Sequence, residues 1–559
     1  MISVLGDDAT DGKPVPAGMP EDSLPATEGV AKPEPGFDEE TYLRLNPDVR
    51  LAVASAVFRS GRDHYERFGR REGRPLRAPG AALRNRIVLQ GDLDAPRELA
   101  KAAEGAVDTV RLSTSGGIYV VGWVNDAIDR LESIDLYFSA WSISLDAASL
   151  ARLRRPDAEA ALASTARHAL GFWGFLFAAR KLPGGVCNVV LRLKSGAEAS
   201  FMLTAELFDD HEIRKMVLGH LAAAAYFGNP YFEAVASIEH SIGAQLVDFN
   251  KMQSRRAAAS PYVERFGRAG RRVKASIIVC LYGRPEFMFL QSAMFAQLAG
   301  FEDYEFIYVS NSPWIAEQLL KEARLCALVY GVDLTVVILN ANAGFGAANN
   351  AAVAFANSER LIIMNPDVFP QQPDWANRHS ALVAELPAER SALFGAPLYY
   401  DDGSLMHAGM YFDIDVMPNF NRGRRSEVSL LRVEHYGKGA PPGTARFLRP
   451  RPVPAVTGAF MSIDRSWFEQ LGGFNADYIF GHYEDADFCL KSIAAGRTPW
   501  LHDLRLWHLE GKGSQRRPQH EGGSAVNRWL FTKNWEEVVR RDLLGPEPAR
   551  LAALGAGAR

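Results

Sequence analysis

Three polar clusters in the second half of the chain hold residue types that could do chemistry. Asn365-Pro366-Asp367 follows the apolar run from Arg360 to Met364, and an acid at the tip of a buried strand is placed to ligate a hard cation. The same triplet recurs at Asn46-Pro47-Asp48, so a plain turn is the competing reading. Further on, Gly481-His482-Tyr483-Glu484-Asp485-Ala486-Asp487 puts carboxylates at the head of an apolar helical pattern. Capping would explain acids there, while repulsion between neighbours would raise one pKa and suit a general base that takes a proton from a hydroxyl. His508, after Leu504 to Trp507, is either a metal ligand or a structural histidine. The run Asn340 to Asn350 is rich in Gly and Ala, which lets backbone approach a ligand's phosphate at a helix start or equally serves a tight strand-to-helix turn.

The elements that must position these groups follow from periodicity. From Lys274 onward, β-branched and apolar runs at 275–280, 304–309, 334–339 and 360–364 alternate with helical segments, which predicts an α/β domain with a mainly parallel sheet. Ligands of such sheets collect outside the carboxyl ends of the strands, where the polar clusters fall. Asp401-Asp402-Gly403 between apolar flanks predicts a hairpin. The basic, Pro-rich stretch 421–454 is expected to include a loop over an acceptor site, or else a plain surface loop.

Ahead of this domain, Pro-rich residues 1–35 are expected to be a disordered tail, and 36–77 a small helical module. Residues 105–206 carry short strands at 110–112, 117–124, 134–138, 188–193 and 200–203, which predict a β-sandwich accessory domain. Trp123, Trp141 and Trp173 could stack on sugar rings there, although core packing is the commoner use of tryptophan. Residues 207–271 are expected to be a helical linker, and 546–559 a tail.

Composition excludes several classes. A net charge of -4 over 559 residues gives no field for nucleic acid. Cys187, Cys280, Cys326 and Cys489 have no metal or disulfide spacing and read as thiols in a reducing compartment. The start of the chain lacks the basic flank and apolar run of a signal peptide, and no apolar run approaches ~20 residues, so a cytoplasmic protein with no transmembrane segment is expected, with peripheral membrane association still open.

YGRPEF, NAGFGAANN, NPDV, TGAFMSIDR, LGGFN, YEDADFCLK and HLEGKGS stand in the order found in family-2 glycosyltransferases. Residues 272–545 thus resemble a GT-A domain, a Rossmann-like nucleotide-sugar-binding fold, similar to bacterial rhamnosyl- and galactofuranosyltransferase-like members. The resemblance implies a metal-dependent, inverting transfer of a sugar from a nucleotide-diphosphate-sugar, UDP or dTDP, to a glycan, lipid-linked glycan or protein hydroxyl in surface polysaccharide or glycoconjugate assembly. By the same resemblance Asp485 is the base, Glu484 and Asp487 position the sugars, and Asp367 and His508 hold Mn²⁺ or Mg²⁺. Tyr282, Asn342 and Gly344 would contact the nucleotide, with Thr457 and Gly458 near donor or acceptor. Asn311 stands where the family has an Asp that accepts from the base, which leaves the base open. A catalytically degenerate GT-A scaffold, or a carbohydrate-binding protein, is the alternative.

Overall fold

In the computed structural model, the residues described are 37–46, 49–50, 53, 58–69, 103–162, 169–224, 235, 237–268, 270–419, 426–513 and 518–544. The expected tails at 1–35 and 546–559 lie outside them. The chain divides into two compact units, Met1–Pro79 and Gly80–Arg559. In the first, the helix Glu39–Leu45 starts at Asp38, whose side chain accepts from Glu40 N–H. The short helix Gly61–His64 starts on Ser60 in the same way, and Tyr42 OH meets His64 Nδ1 at 3.0 Å.

The second unit begins with eight strands: β1 (Gly105–Ser113), β2 (Gly117–Val124), β3 (Leu131–Phe138), β4 (Ser142–Asp146), β5 (Ala151–Leu153), β6 (Gly171–Phe177), β7 (Gly185–Leu193) and β8 (Glu198–Phe208). They run in the order β4-β3-β7-β8-β1-β2-β6-β5, with β8 and β1 parallel and every other pair antiparallel. Val110, Leu112, Ile118, Ile134, Leu136 and Val189 from both halves of the series bury in one cluster, as alternating strands do when one face is dry. Trp141 and Trp173 are buried, so neither is a free sugar platform. Trp141 Nε1–H donates to Pro183 O, and Trp173 stacks on His220.

Two helices follow, Asp210–Ala224 and Gly243–Ala258. The 207–271 segment then ends not as linker but as strand β9 (Tyr262–Phe266), which forms the edge of the next sheet. Five alternating residues are too short a run to declare themselves as a strand before a partner is known.

The α/β sheet contains β10 (Ala275–Leu281), β11 (Tyr304–Ser310), β12 (Leu334–Ile338) and β13 (Arg360–Met364) as its parallel centre. The helices Glu286–Phe295, Ala316–Tyr330 and Phe345–Val353 connect them. The chain continues through β14 (Val368–Pro370), β15 (Leu393–Gly395), β16 (Leu398–Tyr399), β17 (Leu405–His407), β18 (Met410–Asn419), β19 (Ser426–His435), β20 (Arg451–Pro452), β21 (Phe460–Asp464), β22 (Trp500–Leu501) and β23 (Leu506–His508). The nine-stranded order is β20-β22-β15-β21-β13-β10-β11-β12-β9. The direction of winding reverses between β10 and β13, the place where ligands of such sheets collect outside the carboxyl ends of the strands. A smaller sheet, β14-β23-β16-β17, sits beside it, and the hairpin at Gly403 (φ +83°) joins β16 to β17 as the sequence predicts. The stretch 421–454 is more ordered than a loop over 426–435, since β19 pairs along the whole of β18.

Candidate functional site

Asp367 lies in the turn between β13 and β14, and His508 ends β23, which pairs with β14 so that Val368 and His508 stand opposite each other. This pairing brings a carboxylate and an imidazole together from positions 141 apart in sequence: Asp367 Oδ1 is 3.3 Å from His508 Nε2. Both are buried, and Asp367 Oδ2 also accepts from Gly513 N–H at 2.8 Å. Burial pushes the Asp367 carboxyl upward, but the hydrogen bond and charge of His508 and the Gly513 N–H outweigh it, leaving the carboxyl below its usual range. Gly513 has no room for a side chain, because a Cβ there would come 2.8 Å from the Asp367 carboxylate. One hard oxygen donor and one imidazole suit Mn²⁺ or Mg²⁺. Among the described residues no third His, Cys, Asp or Glu completes a cage, so a cation here would draw its other ligands from a diphosphate and water.

The second cluster is the head of the helix Glu484–Ala494. The turn before it is strained: Phe480, His482 and Tyr483 all have positive φ, three of the five such non-glycine residues among those described. Such strain persists only where neighbours over-determine it. Asn527, on the long helix Pro518–Val538, does so, accepting from Ile479 N–H and donating to the carbonyls of Ile479, Gly481 and His482. The turn fixes where each acid points. Asp485 is half-buried and accepts from Gly458 N–H at 2.9 Å. Gly458 lies just ahead of β21, and the adjacent Ala459 accepts from Asn365 N–H at 3.0 Å, so Asp485 is two short links from the Asp367 turn. Thr457 Oγ1 accepts from Ala459 N–H in the same bend. Glu484 is buried, with one oxygen lacking a partner, and desolvation together with the neighbouring Asp485 pushes its carboxyl up to about 8. Asp487 faces the opposite way, into protein, where Tyr478 OH, Trp535 Nε1–H and the Lys491 ammonium hold it.

The third cluster surrounds the start of the helix Phe345–Val353. Gly344 has φ +86°, and the Phe480 backbone comes within 3.3 Å of where a Cβ would sit. Asn342 Oδ1 accepts from Gly344 N–H. Asn311 serves the same turn with both ends of its amide, accepting from Ala343 N–H at 3.0 Å and donating to Gly344 O at 3.2 Å. Its oxygen therefore already accepts one hydrogen bond, and only a second lone pair is left for a nucleotide base. Tyr282, just past β10, packs edge-on against the exposed Trp314 and against His520.

Sequence reasoning passed over several residues that the fold brings here. His407 and His435, from β17 and β19, meet at 3.1 Å between their Nδ1 atoms, so one donates and the other accepts. His407 is one residue from Met406, whose sulfur lies 3.0 Å from His508 Nδ1, and His435 feels the charge of Asp485. Burial, aided for His407 by His435, lowers both pKa values and keeps the pair neutral. The Asp401-Asp402-Gly403 turn marks the hairpin that carries His407, but no local signal marks His435, Asn527 or His520.

No family model matches the chain. Among curated proteins it is 31% identical over 225 residues to the uncharacterized protein y4gI of Sinorhizobium fredii, a match that takes in 39% of this chain. The chain spans only 22% of that relative's length. Among solved structures it is similar to the mannosyltransferase PcManGT from Pyrobaculum calidifontis in complex with GDP-Man and Mn²⁺, at 15% identity and a TM-score of 0.30, covering 61% of this chain and 91% of that one. It is also similar to GalNAc-T7 with UDP, GalNAc and Mn²⁺, at 14% identity and a TM-score of 0.33, over 51% of this chain and 52% of that one. A third, S. aureus TarS 1-349, is 14% identical with a TM-score of 0.29, over 51% of this chain and 79% of that one. At these TM-scores the likenesses do not bear on this chain's chemistry, which has to be read from its own residues.

Proposed function

We propose that the chain is an inverting glycosyltransferase of the GT-A type, moving a sugar from a nucleotide-diphosphate-sugar to an acceptor hydroxyl. The observation that carries this reading is that the buried Asp367–His508 pair and the half-buried Asp485 meet at the carboxyl end of β13, linked through Gly458, Ala459 and Asn365. Asp367 and His508 would hold Mn²⁺ or Mg²⁺. A cation so held supplies positive charge against the departing nucleoside diphosphate. Asp485 takes the proton of the acceptor hydroxyl as its oxygen attacks the anomeric carbon; the Gly458 N–H fixes the carboxylate for that task. Glu484, held neutral by burial, is a hydrogen-bond donor to the sugar rather than a second base. Tyr282, Asn342 and Gly344 line the nucleotide side, and Thr457 and Gly458 the border between donor and acceptor.

The resemblance to rhamnosyl- and galactofuranosyltransferase-like enzymes makes UDP- and dTDP-sugars the first donors to try, with a glycan, lipid-linked glycan or protein as acceptor. Among the described residues no helix is long and apolar enough to cross a membrane. Work on the cytoplasmic face, in surface polysaccharide or glycoconjugate assembly, fits this reading. The test is a screen of UDP-, dTDP- and GDP-sugars for Mn²⁺-dependent hydrolysis, which needs no acceptor. Release of free sugar from one donor, abolished by chelation, is expected. If no nucleotide-sugar is turned over and calorimetry finds no Mn²⁺-dependent nucleotide binding, the chain is a degenerate scaffold.

A further inference from the structure

Arg214 stands on the helix Asp210–Ala224, upstream of the α/β domain, yet it ends among residues of the nucleotide side. It is only 3% exposed. Its guanidinium lies 4.6 Å from the centroid of the Phe480 ring, and Nη1 donates to Asn250 Oδ1 at 3.0 Å. Nε is buried with no partner. Among the described residues no carboxylate lies within ion-pair distance of it. Asp210, the acid whose charge reaches it, spends its own oxygens on Thr114, Ser115 and Arg256. Burial lowers the Arg214 pKa to about 10, which still leaves the side chain charged at neutral pH.

A buried cation of this kind is costly. Taking an ion out of water costs several kcal/mol, and one neutral amide and one ring face do not repay it as a counter-ion would. Arg360, also deeply buried with a lowered pKa and also with an unpartnered Nε, differs in having a carboxylate beside it: it donates to Ser391 O and has Asp464 at 4.0 Å. Arg214 is built as half of an ion pair.

Its surroundings say where the other half belongs. The Phe480 carbonyl accepts from Phe345 N–H, the first residue of the helix that follows Gly344, and the Phe480 ring meets His520, which in turn meets Tyr282. Arg214 therefore shares its wall with the Gly344 turn and Tyr282, beside a helix N-terminus that itself favours phosphate. A planar guanidinium whose Nε–H has no partner suits an oxygen of a diphosphate.

We propose that Arg214 is a donor-binding residue, receiving the diphosphate of the nucleotide-sugar from a helix outside the α/β domain. The inference rests on the glycosyltransferase reading above. It makes the helix Asp210–Ala224 part of the donor site, and that helix is packed so tightly against Pro518–Val538 that a Cβ on Gly522 would fall 2.0 Å from Leu218 O.

Calorimetry of the full chain with UDP, dTDP and GDP in Mn²⁺, for wild type, Arg214→Met and Arg214→Lys, tests this. Arg214→Met should weaken the nucleoside diphosphate that wild type binds by about 10- to 100-fold, the worth of a hydrogen bond to a charged group. Arg214→Lys, which keeps the charge without the fork, should fall between. Binding of the corresponding nucleoside should not change, and the thermal midpoint of Arg214→Met should not drop, because an unpaired buried charge is removed. Equal nucleoside diphosphate affinity in wild type and either variant overturns the role of Arg214 while leaving the enzyme reading intact. A wild type that binds no nucleoside diphosphate overturns both. Should Arg214→Met fail to fold, the Arg214→Lys result decides alone.

Discussion

Asp367 and Glu484 are both buried carboxyls, yet Asp367 has both oxygens answered, by His508 and the Gly513 N–H, while Glu484 keeps one oxygen with no partner. The consequence is opposite charge states. Hydrogen bonds and a nearby imidazole hold Asp367 ionised against burial, whereas burial beside Asp485 keeps Glu484 protonated near neutral pH. Under the proposed reading, Asp367 is thus suited to hold a cation and Glu484 to offer a proton, and the half-buried Asp485 is the carboxylate left to act as base. Burial alone does not set the role of an acid; its partners do.

That contrast can be broken or sharpened. The largest effect is expected at Asp485. Asp485→Asn keeps an acceptor for the Gly458 N–H but loses the base, and sugar transfer should fall about 10²- to 10⁴-fold with nucleotide affinity unchanged by calorimetry. Unchanged turnover would remove Asp485 from the chemistry. Next, Asp367→Asn should abolish the gain in nucleoside diphosphate affinity that Mn²⁺ confers, by about tenfold or more, without altering binding in chelator. Equal metal dependence in the variant would mean that the Asp367–His508 pair only braces the turn.

Gly522→Ala drives a methyl into Leu218 O, backbone against backbone, and should lower stability by about 1–3 kcal/mol in a denaturant titration. A midpoint equal to wild type would show that the two helices have slack. The effect smallest per pH unit concerns Glu484. Its folded pKa, about 8, lies above its ordinary value, so its contribution to stability is complete below the unfolded pKa and is lost as pH rises through the folded one. Wild type should therefore lose stability from about pH 5 toward pH 8, by no more than about 1.4 kcal/mol per pH unit, and Glu484→Gln should flatten that slope. The same slope in both proteins would place the pH dependence elsewhere.

Much of the α/β sheet is legible in the sequence. Buried parallel strands need unbroken apolar runs, and 275–280, 304–309, 334–339 and 360–364 all fall at strands of its centre. The Asp402-Gly403 hairpin is equally local, because the turn requires positive φ. The short strands β5 and β9 are not legible, since their few residues take strand form only against a partner. At the site, Asp367 and the acids of 484–487 stand out by type and place in the pattern, but Asn311 and Asp487 acquire their meaning from what they touch. Asn311 holds a turn, and Asp487 is pinned by Tyr478, Trp535 and Lys491.

What the sequence alone determines here is where strands end and which polar groups stand at their tips, because both depend on periodicity and residue type within a few positions. What only the tertiary structure decides is partnership: that His508 reaches Asp367 across β14 and β23, that Asn527 clamps the strained turn before Glu484, and that Arg214 is buried with an unpartnered Nε. Those facts rest on desolvation and on contacts between residues far apart in the chain, and neither is encoded in any short stretch of it.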